Sequence, residues 1–382
     1  MQFTIKRETL LKPLQRVAGT VDKRPAQKPI LSNVLFSVKN QLLSMVGTDL
    51  EIEMVARIPL EGESVSGDIT VGGKKLIDIC KALPDSTDIQ FTYKDNKMTL
   101  KAGRSRYTLA CLPADDFPQI EQSAADVELS ISQSILRKLL SSCGFALSQN
   151  MDTSRYYLNG VCLIFEANGV RVSATDGHRL ATIKIPAEFN ITEPLEVIVP
   201  KKAVFEMLRL FAEGDEPVGL VLGKNYMRTI TTGYSFVTKL IEGKFPNYRT
   251  VLPKLTEGAH TAILSRESFK HALMRVSALF SDKQRGVRIN LSKNLLALMA
   301  VNADKDEGQD EIEVEYEGGE IEIGFNVSYL TDYLGSMTSD RIKMTIMHSN
   351  SSALFECLEE HESFGSREDE FRHLYVVMPM RI

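Results

Sequence analysis

The stretch "ITVGGKKLIDICKAL" (residues 69–83) reads as a short β-like run that passes straight into an amphipathic helix. The same form returns as "VIVPKKAVFEMLRLF" (197–211) and "IGFNVSYLTDYLGSM" (323–337), each time with an acid at the same place: Asp78, Glu206 and Asp332. These acids are separated by 128 and 126 residues. At the shift of 128, Lys74 meets Lys202, Lys81 meets Arg209, and Phe117-Pro118 meets Phe245-Pro246. Such a repeat decides the fold before any single element does.

Working outward, each third carries a second echo that reads strand, turn, strand, turn, strand. The three copies are "LSNVLFSVKNQLLSMVGTDLEIEMVARI", "LNGVCLIFEANGVRVSATDGHRLATIKI" and "RGVRINLSKNLLALMAVNADKDEGQDEIEV". Asn-containing turns separate their alternating apolar runs. Before each comes an amphipathic segment in which Leu10, Leu14 and Val17, then Ile135 and Leu139, then Phe269, Leu273 and Val276 recur at helical spacing. Ser132 and Ser265 stand where helix N-caps belong. The expected fold class is therefore α+β, built from three repeated sheet-and-two-helix domains at 1–125, 126–253 and 254–382. Pro and polar residues mark linkers at 115–128 and 247–260.

The chain of 382 residues has a net charge of −5, which by itself argues against a nucleic-acid partner. The charge is uneven, however. The three thirds hold 17 basic and 15 acidic, 14 and 13, and 14 and 22 residues. The acidic excess belongs to the last third, so a basic face on the rest is open. Outward positions of the helical segments carry Lys12, Arg16, Arg137, Lys138, Lys270 and Arg275, and, in the second set, Lys74, Lys75, Lys81, Lys201, Lys202 and Arg209. Repeated units would gather these on one side, as phosphate contact requires; an ordinary solvated helix surface is the plainer alternative. Lys23, Arg24 and Lys28 in a Pro-stiffened loop, and Arg155 beside Tyr156 and Tyr157, fit the first reading.

Catalytic patterns fail. "GDITVGGKK" lacks the Lys-Ser/Thr ending of a phosphate-binding loop, and the six histidines show no metal-ligand spacing. The five cysteines are scattered among apolar neighbours, as buried reduced thiols are. Neither cofactor nor metal is expected. No run approaches the roughly 18 apolar residues of a membrane helix, so a cytoplasmic location is expected. The grouping "ATDGHRLA" (174–181) admits a hydrolase reading with His178 as a base oriented by Asp176. "GTDLE" and "VNADK" stand at the same place in the other units without a histidine, which favours a structural turn.

From "FTIKRETLLKPLQRVAG" through "GRSRYTL", "RYYLNG", "ATDGHRLA" and "FPNYRTVLP" to "YVVMPMRI", the sequence resembles the bacterial β sliding clamps, processivity subunits of the replicative DNA polymerase. The resemblance covers the whole chain. It implies a non-enzymatic head-to-tail homodimer of six domains around duplex DNA, loaded by a separate ATPase. It also implies a pocket for short peptides of polymerases, the clamp loader and repair proteins. By this likeness the pocket is Leu158, Thr175, Gly177, His178, Arg179, Leu180, Pro246, Val251, Ser352, Val376, Met378, Pro379, Met380 and Arg381, with Arg179 and Arg381 steering the peptide's polar ends. DNA-facing positions are Arg24, Lys74, Lys81, Asn150, Arg155, Tyr156, Tyr157, Lys202 and Arg209, and the subunit seam sets Tyr107 and Leu109 against Leu279 and Phe280. Two departures from the family pattern stand out. Thr250 replaces an arginine at the pocket's edge, and the charged segment 356–373 is long. A clamp paralogue with altered partner or inhibitor specificity is the alternative within the family.

Overall fold

The computed structural model describes residues 1–22, 28–120, 125–148, 154–211, 214–254, 256, 258–280, 285–358 and 373–381. Every third follows one plan, a strand, a helix, four strands, a helix and three strands. The first runs β1 (Gln2–Lys6), α1 (Arg7–Val17), β2 (Asn33–Lys39), β3 (Leu42–Thr48), β4 (Ile52–Pro59), β5 (Gly67–Gly72), α2 (Gly73–Ala82), β6 (Asp88–Lys94), β7 (Lys97–Ala102) and β8 (Ser105–Leu112). The second is β9 (Val127–Ser132), α3 (Gln133–Gly144), β10 (Gly160–Glu166), β11 (Gly169–Thr175), β12 (Arg179–Pro186), β13 (Leu195–Pro200), α4 (Lys201–Leu210), β14 (Pro217–Leu222), β15 (Tyr226–Thr231) and β16 (Tyr234–Lys239). The third is β17 (His260–Ser265), α5 (Arg266–Ser277), β18 (Gly286–Ser292), β19 (Leu295–Val301), β20 (Glu307–Glu313), β21 (Ile321–Asn326), α6 (Val327–Ser336), β22 (Arg341–Ile346), β23 (Ala353–Cys357) and β24 (Leu374–Val377). Sequence periodicity missed the strand before each first helix, because five or six residues alternate too briefly to stand out.

Contacts divide the chain into two compact units, 1–134 with 205–240, and 135–204 with 241–382. In the first unit, β4 of the first third pairs antiparallel with β16 of the second. In the other, β12 of the second third pairs with β24 of the third. Sheets thus continue from one repeat into the next, and the seams are backbone ladders as well as side-chain contacts. The spacing of the apolar residues sets the layers. Leu10, Leu14 and Val17 of α1 are fully buried, each stabilising by about 1.5–3 kcal/mol relative to exposure. Beneath them Phe3 and Phe91 stack with ring centroids 4.7 Å apart. Ser265 caps α5, its hydroxyl accepting from the Ser268 N–H, while the Ser132 hydroxyl lies 3.1 Å from that of Ser134 at the start of α3.

The tight turns follow from their residues. Asn40 and Gln41, and Asp95 and Asn96, take φ between +52° and +58°, and Asn294 takes +57°. Two consecutive positive φ values match the right-handed twist of the flanking strands, and Asn tolerates them best after Gly.

Candidate functional site

The turn at 175–180 and its counterpart in the first third share one hydrogen-bond template. Thr48 Oγ1 donates to Ile52 O at 2.8 Å, and Thr175 Oγ1 donates to Arg179 O at 2.6 Å. Leu50 N–H donates to the Thr48 hydroxyl and Gly177 N–H to that of Thr175. Asp49 Oδ1 accepts from Glu51 and Ile52, and Asp176 Oδ1 from His178 and Arg179, at 2.9–3.1 Å. Leu50 has φ +77° where Gly177 has +91°. The turn is therefore a scaffold common to the first two repeats, and the second copy uses it to display His178. It also removes the hydrolase reading's carboxylate. Asp176 spends Oδ1 on two backbone N–H groups and Oδ2 on Arg179 Nε at 3.0 Å, so it does not orient the exposed His178.

Around the turn, Leu180, Tyr248, Leu354 and Val376 form a buried apolar cluster, with Leu252 and Leu374 packed against it. Leu158, Cys162, Ile198 and Phe245 form a second, joined by Tyr157. Val251 and Met378, at 38% and 45% exposure, are large apolar groups left facing water. Thr175 is buried, Gly177, Ser352, Pro379 and Met380 are half-buried, and Pro246 and Arg381 are exposed. The terminal strand is tied to the turn, since Met378 N–H donates to His178 O at 2.9 Å, and Met380 N–H reaches Gly324 O at 2.7 Å. Thr250 closes its own short turn by donating to Asn247 O. His373, just before the strand, is buried with Nε2 3.0 Å from Ser142 O. The charged segment begins at the end of β23, where Glu356 and Cys357 are buried, and its residues 359–372 lie outside the described residues.

One expected role fails. Arg179 does not steer a ligand, because its side chain is 1% exposed. Nη1 bonds Asp332 Oδ2 at 2.7 Å, Nη2 bonds Phe145 O at 2.8 Å, and the guanidinium carbon lies 4.4 Å from the Tyr329 ring centre. Sequence reasoning missed Tyr248, Leu252 and Leu354 as parts of the apolar floor. It noticed Asp332 only as a repeat marker. Tyr375 sits beneath this network, stacked on Tyr333 at 4.5 Å, and burial pushes its hydroxyl's pKa up.

Of the expected DNA-facing positions, Arg24 and Asn150 lie outside the described residues. Lys74, Lys81, Lys202, Arg209, Arg155 and Tyr156 are exposed, and Tyr157 is half-buried. Lys74 and Lys81 line a groove of about 740 Å³ together with Asp78, Asn33 and Leu109. Arg209 is partly neutralised by Glu206 at 2.5 Å. Arg155 packs on the turn, its Nη1 3.0 Å from where a Cβ on Gly177 would stand. The structure thus brings one expected DNA contact to the edge of the apolar surface. Tyr107, Leu109, Leu279 and Phe280 are each half-buried. No group of three or more potential metal ligands occurs among the described residues, and no described helix is long and apolar enough to cross a membrane.

Family models for the DNA polymerase III beta subunit match the chain three times in succession: the N-terminal domain over 1–121, the central domain over 130–247 and the C-terminal domain over 249–381. The chain belongs to the DNA polymerase III beta subunit family. Family relatives include the beta sliding clamp of Pseudomonas aeruginosa, 45% identical over the full length of both chains, and that of Escherichia coli, 38% identical over the same span. Among solved structures, a sliding clamp from Pseudomonas aeruginosa bound to griselimycin superposes with a TM-score of 0.91 at 44% identity, covering all of both chains. A second, from Bartonella birtlesii and also bound to griselimycin, gives 0.90 at 32% identity with the same coverage.

Proposed function

We propose that two copies of this chain close head to tail into a sliding clamp around duplex DNA, and that the apolar surface beside His178 receives short peptides of the replication proteins it tethers. The family likeness carries the clamp activity, and the unpaired strand edges carry the closure. Glu53, Leu180 and Glu307 occupy one register position in the three repeats, each facing the partner next to the same turn: Thr48, Thr175 and Val301. In the two internal seams, Glu53 faces Val237 and Leu180 faces Val376. Among the described residues, β20 pairs only with β19, and β8 meets β5 only at its last two residues, leaving one edge of Ser105–Ala110 open.

Applying the internal rule to these leftover edges sets Thr108 of one chain opposite Glu307 of the other. Tyr107 then meets Gly308, Arg106 meets Gln309, and Arg104 meets Glu311. Gly308 suits this seam, since a Cβ there would lie 2.8 Å from Leu279 Cδ1. Leu279 therefore covers Gly308 and is presented toward Tyr107. A heterologous contact makes a ring when its rotation closes, and six like seams, three repeats from each of two chains, would complete one here. It also buries two edges that would otherwise template aggregation.

The division at 1–125, 126–253 and 254–382 supplies the three repeats. Lys74, Lys81, Lys202 and Arg209, with Arg24 and Asn150, would face the DNA through sequence-independent phosphate contacts. Arg155, beside Gly177, would add a basic contact to DNA, and Tyr156 and Tyr157 aromatic ones. Methionine and aliphatic groups (Val251, Val376, Met378, Met380) suit varied peptide partners. Griselimycin in relatives' structures supports a ligand-receiving surface in this family, and we assign that compound to the same pocket here. The protein would act as a non-catalytic accessory subunit in the cytoplasm.

The closure is tested by a Thr108→Cys, Glu307→Cys chain under mild oxidation. Directly opposed Cβ atoms about 4.5–5.5 Å apart are within adjustment of disulfide geometry. A covalent dimer is expected. Failure of this pair, with efficient crosslinking when position 307 is replaced by 309, would refute the register.

A further inference from the structure

We infer that Asp332, a residue outside the pocket lining, is a positioning residue for peptide binding, acting through Arg179; this rests on reading the surface beside His178 as the peptide pocket. The turn's hydrogen bonds do not need an arginine, since the first third builds the same turn on Thr48 and Asp49 and ends it with Ile52. What Arg179 adds is a tether. Its side chain leaves the turn and reaches α6 at Asp332, with Phe145 O as a second acceptor on the end of the guanidinium and the Phe145 and Tyr329 rings 5.6 and 4.4 Å from its carbon.

The same helix holds the other wall. Tyr375 of the terminal strand donates to Tyr329 O at 2.8 Å, three residues before Asp332. Met378, at that strand's end, is bonded to His178 O. Turn, strand and helix form a closed loop of contacts, and the Asp332–Arg179 pair is its charged link. Asp332 is one of two carboxylates on a guanidinium at 1% exposure, Asp176 holding Nε at 3.0 Å; without Asp332 the buried Nη1 end loses its charged partner, so that end of the side chain must shift and the turn with it.

The repeats show that this link is specific to the copy that carries His178. The acids at the equivalent helix position are Asp78 and Glu206, yet the first third's turn offers Ile52 and the last third's turn ends in Asp306. A charged link that serves only to join repeats would be expected at the first internal seam as well; there the residue corresponding to Arg179 is apolar.

The test uses the full-length dimer, with griselimycin as the probe in calorimetric titration and amide hydrogen exchange as the second readout. Asp332→Asn is nearly isosteric and keeps one oxygen acceptor. It should weaken griselimycin about tenfold, the order expected for losing a charged hydrogen bond. It should also speed exchange at residues 176–180, while exchange in the other two repeats and dimerisation stay near those of the parent. Arg179→Gln should weaken binding similarly, and the double variant should be no weaker than the worse single one. Unchanged affinity in Asp332→Asn, with the parent binding normally, overturns the positioning role and leaves the pocket standing. No griselimycin binding by the parent overturns both. Loss that is additive in the double variant also overturns the role, since the two residues would then act independently.

Discussion

Reversing one charge at the subunit seam tests the deduced register. In the proposed ring, Arg104 and Glu311 stand opposite each other in each of two symmetric seams. Arg104→Glu replaces two attractions with two repulsions. Pairs of this exposed kind are worth about 0.2–1 kcal/mol each, so loss plus repulsion comes to about 1 kcal/mol per seam and about 2 kcal/mol per ring. That is roughly a 30-fold rise in the dimer dissociation constant. Glu311→Arg should do the same, and the double variant, with the pair reversed, should return to within about threefold of the parent. Analytical ultracentrifugation at low concentration measures all four chains. Raising the salt from 0.05 to about 0.5 M should compress the differences, because the Debye length then falls well below 10 Å. A double variant weaker than either single one would refute the register, since no charge pairing would then link the two positions.

Other consequences can be measured directly. Gly177→Ala keeps a positive φ that Leu50 also tolerates, so it should cost only about 1 kcal/mol in thermal unfolding. Its added Cβ crowds Arg155, so griselimycin affinity should fall severalfold. Glu53 is buried, and desolvation raises its carboxyl above the ordinary value, opposed in part by the Ile120 N–H. The folded state therefore holds this proton more tightly than the unfolded chain does, so its contribution to stability is full below the ordinary carboxylate value and is lost as pH rises through the raised one. Glu53→Gln should accordingly raise the melting temperature at pH 7, with a gain that shrinks toward pH 4. Burial pushes the Cys80 thiol up to about 11, and Cys143 and Cys162 higher still. Native protein at pH 8 should resist maleimide at these three positions and react there only on unfolding. Gly160→Ala places a Cβ 2.5 Å from Val199 O and should destabilise by about 1–3 kcal/mol, read by chemical denaturation.

The repeated unit was legible because apolar spacing and the acids at 78, 206 and 332 survive in all three copies. Helices, central strands and Asn turns came from local patterns. The sheet joints were not legible. That β16 lies on β4 and β24 on β12 depends on edges meeting across many residues, and periodicity holds no information about partners. The apolar floor was half-read for a similar reason. Tyr248 lies within "FPNYRTVLP", yet only the fold sets it beside Leu354 and Val376. Arg179 shows the limit most plainly. A sequence shows a charge next to His178 but not its direction, and Asp332, 153 positions away, turns it inward.

Closure of two chains around DNA is a topological property, and one measurement addresses it directly. The protein is loaded with its cognate loader onto a nicked circular plasmid, the complex is isolated, and the plasmid is then cut once. Release of the protein on linearisation, with retention on the uncut circle, is the predicted result. Equal retention on the linear DNA would mean that the protein grips the duplex directly, and would contradict closure of the two chains around it.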